Sequence, residues 1–150
     1  MKALPLAGYI VQHCIDKNTP VTNLQLQKIL YFVQLQSLKE TDFKEPIMED
    51  PQFEAWLFGA VIREVYYAYC ANGGLPIIKV APESGIIPSD KEVPEYVKNI
   101  VDIAMQLRSW DLVAISHRDG GAWKTVYQEG LKLPISDDFV RKDALTFNFL

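Results

Sequence analysis

Between Pro5 and Lys17 the residues Ala7, Ile10, Val11 and Cys14 recur at i, i+3, i+4 and i+7, the stripe of an amphipathic helix. Pro5 suits its first turn, and Asn18, Thr19 and Pro20 end it. Thr22 and Gln25 then have the form of a capping box, which opens a second helix over about residues 22–38. This helix carries two apolar faces: Leu26, Ile29, Leu30 and Val33 on one side, Leu24, Tyr31 and Leu35 on nearly the opposite one. A helix apolar on both sides is covered on both sides, so it is expected at the centre of the fold. Lys28 projects into the second stripe. A buried ammonium without a partner is costly, so Lys28 is expected to snorkel to water or to find a carboxylate or carbonyls, with Glu54 and Glu64 as candidates.

After Lys39 the period changes. KEPIMED and PQFEAWLF are short, the second holds Phe53, Ala55 and Leu57 in alternation, and Asp50 and Pro51 separate them. This predicts a small antiparallel β-hairpin near residues 45–58, with Gly59 as the bend where the chain leaves the strand. REVYYAYCANGG reads as a helix with Val65, Tyr66 and Tyr69 inward and Gly73 as its stop. The Pro- and Gly-rich stretch from Leu75 to Lys91 is a loop with one short strand at Ile77 to Val80. Helix returns at Pro94, where Val97, Ile100, Val101, Ala104 and Leu107 share a face. Ser109 is placed to cap a short helix through His117, and Asp119 or one of the following glycines to cap another containing Trp123, Val126 and Tyr127. Ser136, followed by Asp137 and Asp138, opens a last helix as the helix dipole prefers. The pattern describes an α+β chain, mostly α-helical, packed around the second helix as a single domain over residues 1–150.

Composition narrows the function. An apolar fraction of 49% and a charged fraction of 23% are those of an ordinary globular chain, so disorder and fibre are excluded. The longest apolar runs, Ile29 to Val33 and Trp56 to Ile62, are far too short to span a bilayer. The start MKALPLAGYIVQHC is not read as a signal peptide, because His13 and Asp16 interrupt it and no small-residue cleavage site follows. Cys14 and Cys70 each lie in an apolar helical pattern without a CxxC pair, which suits small buried hydrophobes in a reducing, cytoplasmic setting. A formal charge of −4 opposes a general affinity for nucleic acid and favours a basic partner.

Candidate chemistry is sparse. In SHRDGGAWKTVY, His117 stands where one helix ends and the next begins, so its expected role is structural; a catalytic reading needs a nucleophile or metal partners that no spacing supplies. His13 and Cys14 are adjacent on a helix and point about 100° apart, so they form no dyad. Glu49, Asp50 and Glu54 fit a solvated hairpin edge better than a metal site. Tyr66, Tyr67 and Tyr69 are expected to pack inward rather than to form a binding surface. No phosphate-binding loop, zinc-protease or nucleophile-elbow motif occurs, so neither cofactor nor catalysis is expected. The first two helices superficially suggest a helix-turn-helix regulator, with Gln25, Gln27 and Gln34 as base readers. Lys28 is, however, the only basic residue of the second helix before Lys39, and apolar residues on two of its sides oppose a DNA-reading face, so this reading stands as the secondary alternative.

Three segments taken together, LQLQKILYFVQ, FEAWLFGAVIREVY and SHRDGGAW, resemble in order and spacing the Panacea domain of SocA-like and prophage GepA-like antitoxins. Leu24, Leu26, Lys28 and Tyr31 match the first motif, Ala55, Trp56, Gly59, Val61 and Tyr66 the second, His117 and Trp123 the third. Ala60 stands where the family commonly has proline, which should loosen the turn after Gly59, and Ser116 where threonine commonly precedes the histidine. The resemblance implies an antitoxin, usually encoded beside its toxin, that neutralises the toxin by direct protein contact; at least one relative is instead an adaptor delivering its toxin to a protease. Trp56, Tyr31, His117 and Trp123 are expected mainly to shape the core around the second helix, and toxin contacts to come from exposed residues such as the loop from Leu75 to Lys91.

Overall fold

The computed structural model describes residues 1–49 and 51–149. Helix α1 spans Ala3–Asp16 and α2 spans Asn23–Glu40. Asn18 ends the first in the left-handed conformation, at φ +60°. The capping box opens the second: the Thr22 N–H donates to Gln25 Oε1 at 2.9 Å and the Gln25 N–H to Thr22 Oγ1 at 3.2 Å. The two apolar stripes of α2 are both covered, and every residue from Leu26 to Leu38 is buried. The rest of the chain wraps that helix.

The covering elements follow in order. Strands β1, Phe53–Trp56, and β2, Gly59–Ile62, form a hairpin, followed by α3, Arg63–Ala68, and a 3₁₀ turn, Cys70–Asn72, that Gly73 ends. Then come α4, Glu95–Ala104, α5, Ser109–Ser116, α6, Ala122–Val126, strand β3, Leu133–Ile135, and α7, Asp137–Thr146. The sheet is antiparallel in the order β2-β1-β3. Mostly helical α+β is therefore the observed class. No helix among the described residues is long and apolar enough to cross a membrane.

Local corrections have physical causes. The hairpin lies later than expected: Phe53 pairs with Ile62 and Trp56 with Gly59, so Leu57 and Phe58 are the turn and Gly59 begins a strand. Residues 45–49 are not a strand. Their backbone groups are held by side chains of α2, with the Ile47 N–H on Ser37 Oγ at 2.9 Å and the Met48 N–H on Gln34 Oε1 at 3.1 Å. The segment Ile77 to Val80 is also irregular, pinned by the Ile77 N–H on the Val21 carbonyl at 2.8 Å. A 3₁₀ turn at Pro82–Ser84 seats this loop against α1 at Gly8, where a Cβ would meet Ile87 Cγ2 at 2.7 Å. Arg108 rather than Ser109 is the cap of α5, with its N–H on Asp111 Oδ2 at 3.0 Å. Gly121 takes that position for α6. Cys14 is buried, but Cys70 sits exposed in the turn after α3, because that helix ends at Ala68 instead of continuing to Gly73. Burial pushes the Cys14 thiol up to about 12.

Candidate functional site

The residues of all three motifs meet where the β1–β2 hairpin lies over the first half of α2. Trp123 Nε1–H donates to the Trp56 carbonyl at 2.6 Å, which ties α6 to the end of β1. The His117 ring stacks flat on Trp123, with centroids 3.4 Å apart and planes 3° from parallel, and Tyr127 stacks on Trp123 at 4.5 Å. His117 caps the C-terminus of α5 and hydrogen-bonds the Phe58 backbone, so the helix-end residue also holds the hairpin turn. Burial, reinforced by the nearby Lys28 charge, lowers its imidazole from 6.5 to about 4. It is neutral at physiological pH.

Lys28 behaves as neither expectation required. It is 1% exposed, does not reach water, and its Nζ has no hydrogen-bond partner. Neither proposed acid serves it. Glu54 accepts from Trp56 Nε1 at 2.9 Å and from Arg63 at 2.8 and 3.0 Å, while Glu64 lies exposed on α3. Burial pushes the Glu54 carboxyl up, but the bonds from Arg63 and Trp56 outweigh it, leaving Glu54 below the usual carboxylate range. Burial alone lowers Lys28 from 10.5 to about 7. Directly above its Nζ lies Gly59, at φ +125°, where a Cβ would come within 2.6 Å of the nitrogen and 2.7 Å of Ser116 Oγ. Glycine is thus required there twice, by the backbone angle and by the absence of room.

The remaining motif residues divide between core and surface. Leu26, Tyr31, Ala55, Val61 and Trp123 are buried; Leu24, Trp56, Tyr66 and His117 are only partly so. Trp56 is not in the core, because β1 alternates and places Phe53 and Ala55 inward. Its ring instead meets Tyr66 at 4.8 Å and the Lys132 ammonium at 4.0 Å. Of the tyrosine cluster, Tyr69 is buried, Tyr66 half-buried and Tyr67 exposed, since Tyr67 points away from α2. Around these residues lies a cavity of about 420 Å³, walled by Leu24, Gln27, Lys28, Trp56, Phe58, Val61 and Tyr66.

Several participants were not visible in the sequence. Asp143 on α7 is buried and accepts from Tyr31 Oη at 2.6 Å, from the Ala122 N–H at 3.0 Å and from Arg118. Exposed Trp110 packs its ring edge on Phe58 at 5.6 Å. An aspartate in a polar helix and an exposed tryptophan carry no periodic signal. The glutamines of the DNA-reading alternative are all engaged internally: Gln25 in the cap, Gln27 on the Ile62 N–H at 3.0 Å, Gln34 on both backbone groups of Met48. His13 binds Asp102 at 3.0 Å instead of pairing with Cys14. Glu49 lies by the N-terminal amine, 3.9 Å away, apart from Glu54, and Asp50 is outside the described residues. Among the described residues no group of three His, Cys, Asp or Glu side chains could hold a metal ion.

The family model described as "Antitoxin SocA-like, Panacea domain" matches residues 26–124, which is more than half of the chain and includes every motif position but Leu24. The chain belongs to this family. It is also 31% identical over 159 residues to Antitoxin SocA of Caulobacter vibrioides (strain NA1000 / CB15N), an alignment covering 97% of this chain and 82% of that protein. No solved structure matches. Membership in the SocA-like Panacea family supports an antitoxin role in a toxin–antitoxin system, and a regulatory rather than an enzymatic one. Within the Panacea segment, the Lys28–Gly59 contact and the Trp123–Trp56 hydrogen bond are where its separate motifs touch.

Proposed function

We propose that this chain acts in the cytoplasm as one antitoxin domain over residues 1–150, and that it neutralises a cognate protein toxin, encoded by the adjacent gene, by binding it and masking its surface. The observation that carries the reading is an apolar patch at the hairpin tip. Leu57 is 60% exposed, Phe58 43% and Trp110 63%, and the Phe58 and Trp110 rings support each other edge to face. Large apolar side chains gathered in water mark protein contact surfaces, and tryptophan is among the residues most enriched at their energetic centres. The loop from Leu75 to Lys91 extends the contact surface, since it is anchored by buried Ile77 and Ser84 yet exposes Leu75, Ile78 and Ile86. A net charge of −4 favours a basic toxin. The motif residues at the centre serve mainly to hold this surface, with no cofactor and no catalytic step.

The test is to express the adjacent reading frame with and without this chain. The expected result is toxicity alone, growth together, and a stable complex recovered from the co-expressing cells. A neighbour that is harmless alone, or toxic but never bound, overturns direct neutralisation. Loss of the toxin in a protease-dependent way, in place of a stable complex, identifies a protease adaptor.

A further inference from the structure

We propose that the cavity beneath the β1–β2 turn is a carboxylate-binding pocket, in which Lys28 receives an acidic side chain of the toxin. The proposal rests on the antitoxin reading above and names the chemistry of its contact. The walls are apolar or already satisfied: Trp56, Phe58 and Tyr66 supply ring surface, while Gln27 donates to Asn23 at 3.0 Å and accepts from Ile62, and Asn23 donates to the Tyr66 carbonyl at 3.0 Å. Lys28 Nζ is the buried polar side-chain atom of this wall left without a partner among the described residues; His117 Nε2, the other buried orphan, belongs to a residue outside the wall.

A fully buried ammonium has few ways to be compensated. In the free protein it is shielded from water, so an entering side chain must displace the β1–β2 turn above it, and the buried or half-buried acids Glu54 and Asp143 are committed elsewhere, Glu54 to Arg63 and Trp56, Asp143 to Tyr31, Arg118 and Ala122. A carbonyl would supply a hydrogen bond but leave the charge; a carboxylate supplies both, in a low-dielectric setting where the attraction is strongest. One cationic donor among apolar walls also suits a carboxylate better than a phosphate, which needs several donors. Only the backbone of Gly59 covers the nitrogen, since a Cβ there would come within 2.6 Å of it. The exposed ring of Phe58, which lines the cavity and packs on Trp110, would exclude water once a partner is seated, as rims around buried anchors do. The lowered ammonium of Lys28 fits the same account, because the free protein can hold part of it neutral and an inserted anion restores its charge.

The experiment uses the whole chain and two probes, N-acetyl-glutamate N-methylamide and its glutamine analogue, followed by backbone amide shifts at Phe58 and Gly59. Saturable shifts with the glutamate probe are expected, with at least tenfold weaker response to the glutamine probe and to either probe in Lys28→Met. Equal responses to the two probes, or none, overturn the pocket. Should Lys28→Met not fold, the wild-type Lys28 ε-carbon resonance decides: it must move toward the protonated position with the glutamate probe only. With the toxin complex in hand, Lys28→Met should lose at least tenfold in affinity, and unchanged affinity overturns the assignment to the toxin. A chain that takes the glutamate probe yet binds no toxin overturns the antitoxin reading and leaves the carboxylate pocket standing.

Discussion

Lys28 is the residue at which stability and binding pull in different directions. In the unfolded chain its ammonium titrates at the ordinary 10.5, and burial lowers that to about 7 in the fold. Between these values the unfolded chain holds the extra proton, so this group makes stability rise with pH across that window, and its penalty is complete below about pH 7. Lys28→Met removes the penalty. The variant should therefore exceed wild type in urea-unfolding free energy by a few kcal/mol at pH 6, on the order of the linkage energy of such a shift, and the gap should close toward pH 10. Other titrating groups are common to both chains and cancel in the difference. A gap that does not change with pH would mean that Lys28 is not held in the low-dielectric setting described.

At the scale of elements, α7 is attached to the central helix through Asp143. Its carboxylate joins Tyr31 of α2, the first residue of α6 and Arg118 after α5, so four segments share one buried acid. Asp143→Ala would leave the Tyr31 hydroxyl and the Ala122 N–H buried without acceptors and Arg118 without its counter-charge. The expected cost is about 3–5 kcal/mol, readable as a lowered midpoint in denaturant. A loss below 1 kcal/mol would show that the network reorganises at little cost. The elements also show what periodicity conveys. The spacing of Phe53 and Ala55 identified β1, whereas β2 is buried along its whole length and so has no alternation to read. Strand β3 is a three-residue stretch containing Pro134 and carries almost no pattern. The expectation of a strand before Asp50 failed because Gln34 and Ser37, polar positions of a buried helix, take up the hydrogen bonds a second strand would have used.

For the whole molecule, folding and recognition depend on different residues. The core surrounds α2, and the exposed rings stand at its margin on the hairpin tip and α5. Replacing Phe58 and Trp110 together by serine should leave the melting temperature within about 2 °C of wild type, since both are already substantially exposed. The same change should weaken the toxin complex by a hundredfold or more, as loss of two central aromatic contacts does at other interfaces. Retained affinity in a folded double variant would move the contact surface to the loop from Leu75 to Lys91.

By itself the sequence determined the helices with caps and apolar stripes, the burial of α2 on both sides, the mostly helical α+β class and the family. Each of these follows from spacing, order or capping chemistry within a short stretch of chain. Only the tertiary structure decided that Lys28 has no internal partner, that Gly59 is the residue standing over it, that Trp56 faces outward, and that Phe58 and Trp110 meet in water. These depend on residues far apart in the chain and on which nearby acids are already bonded. A local pattern says that a charge is buried; only packing says what remains to compensate it.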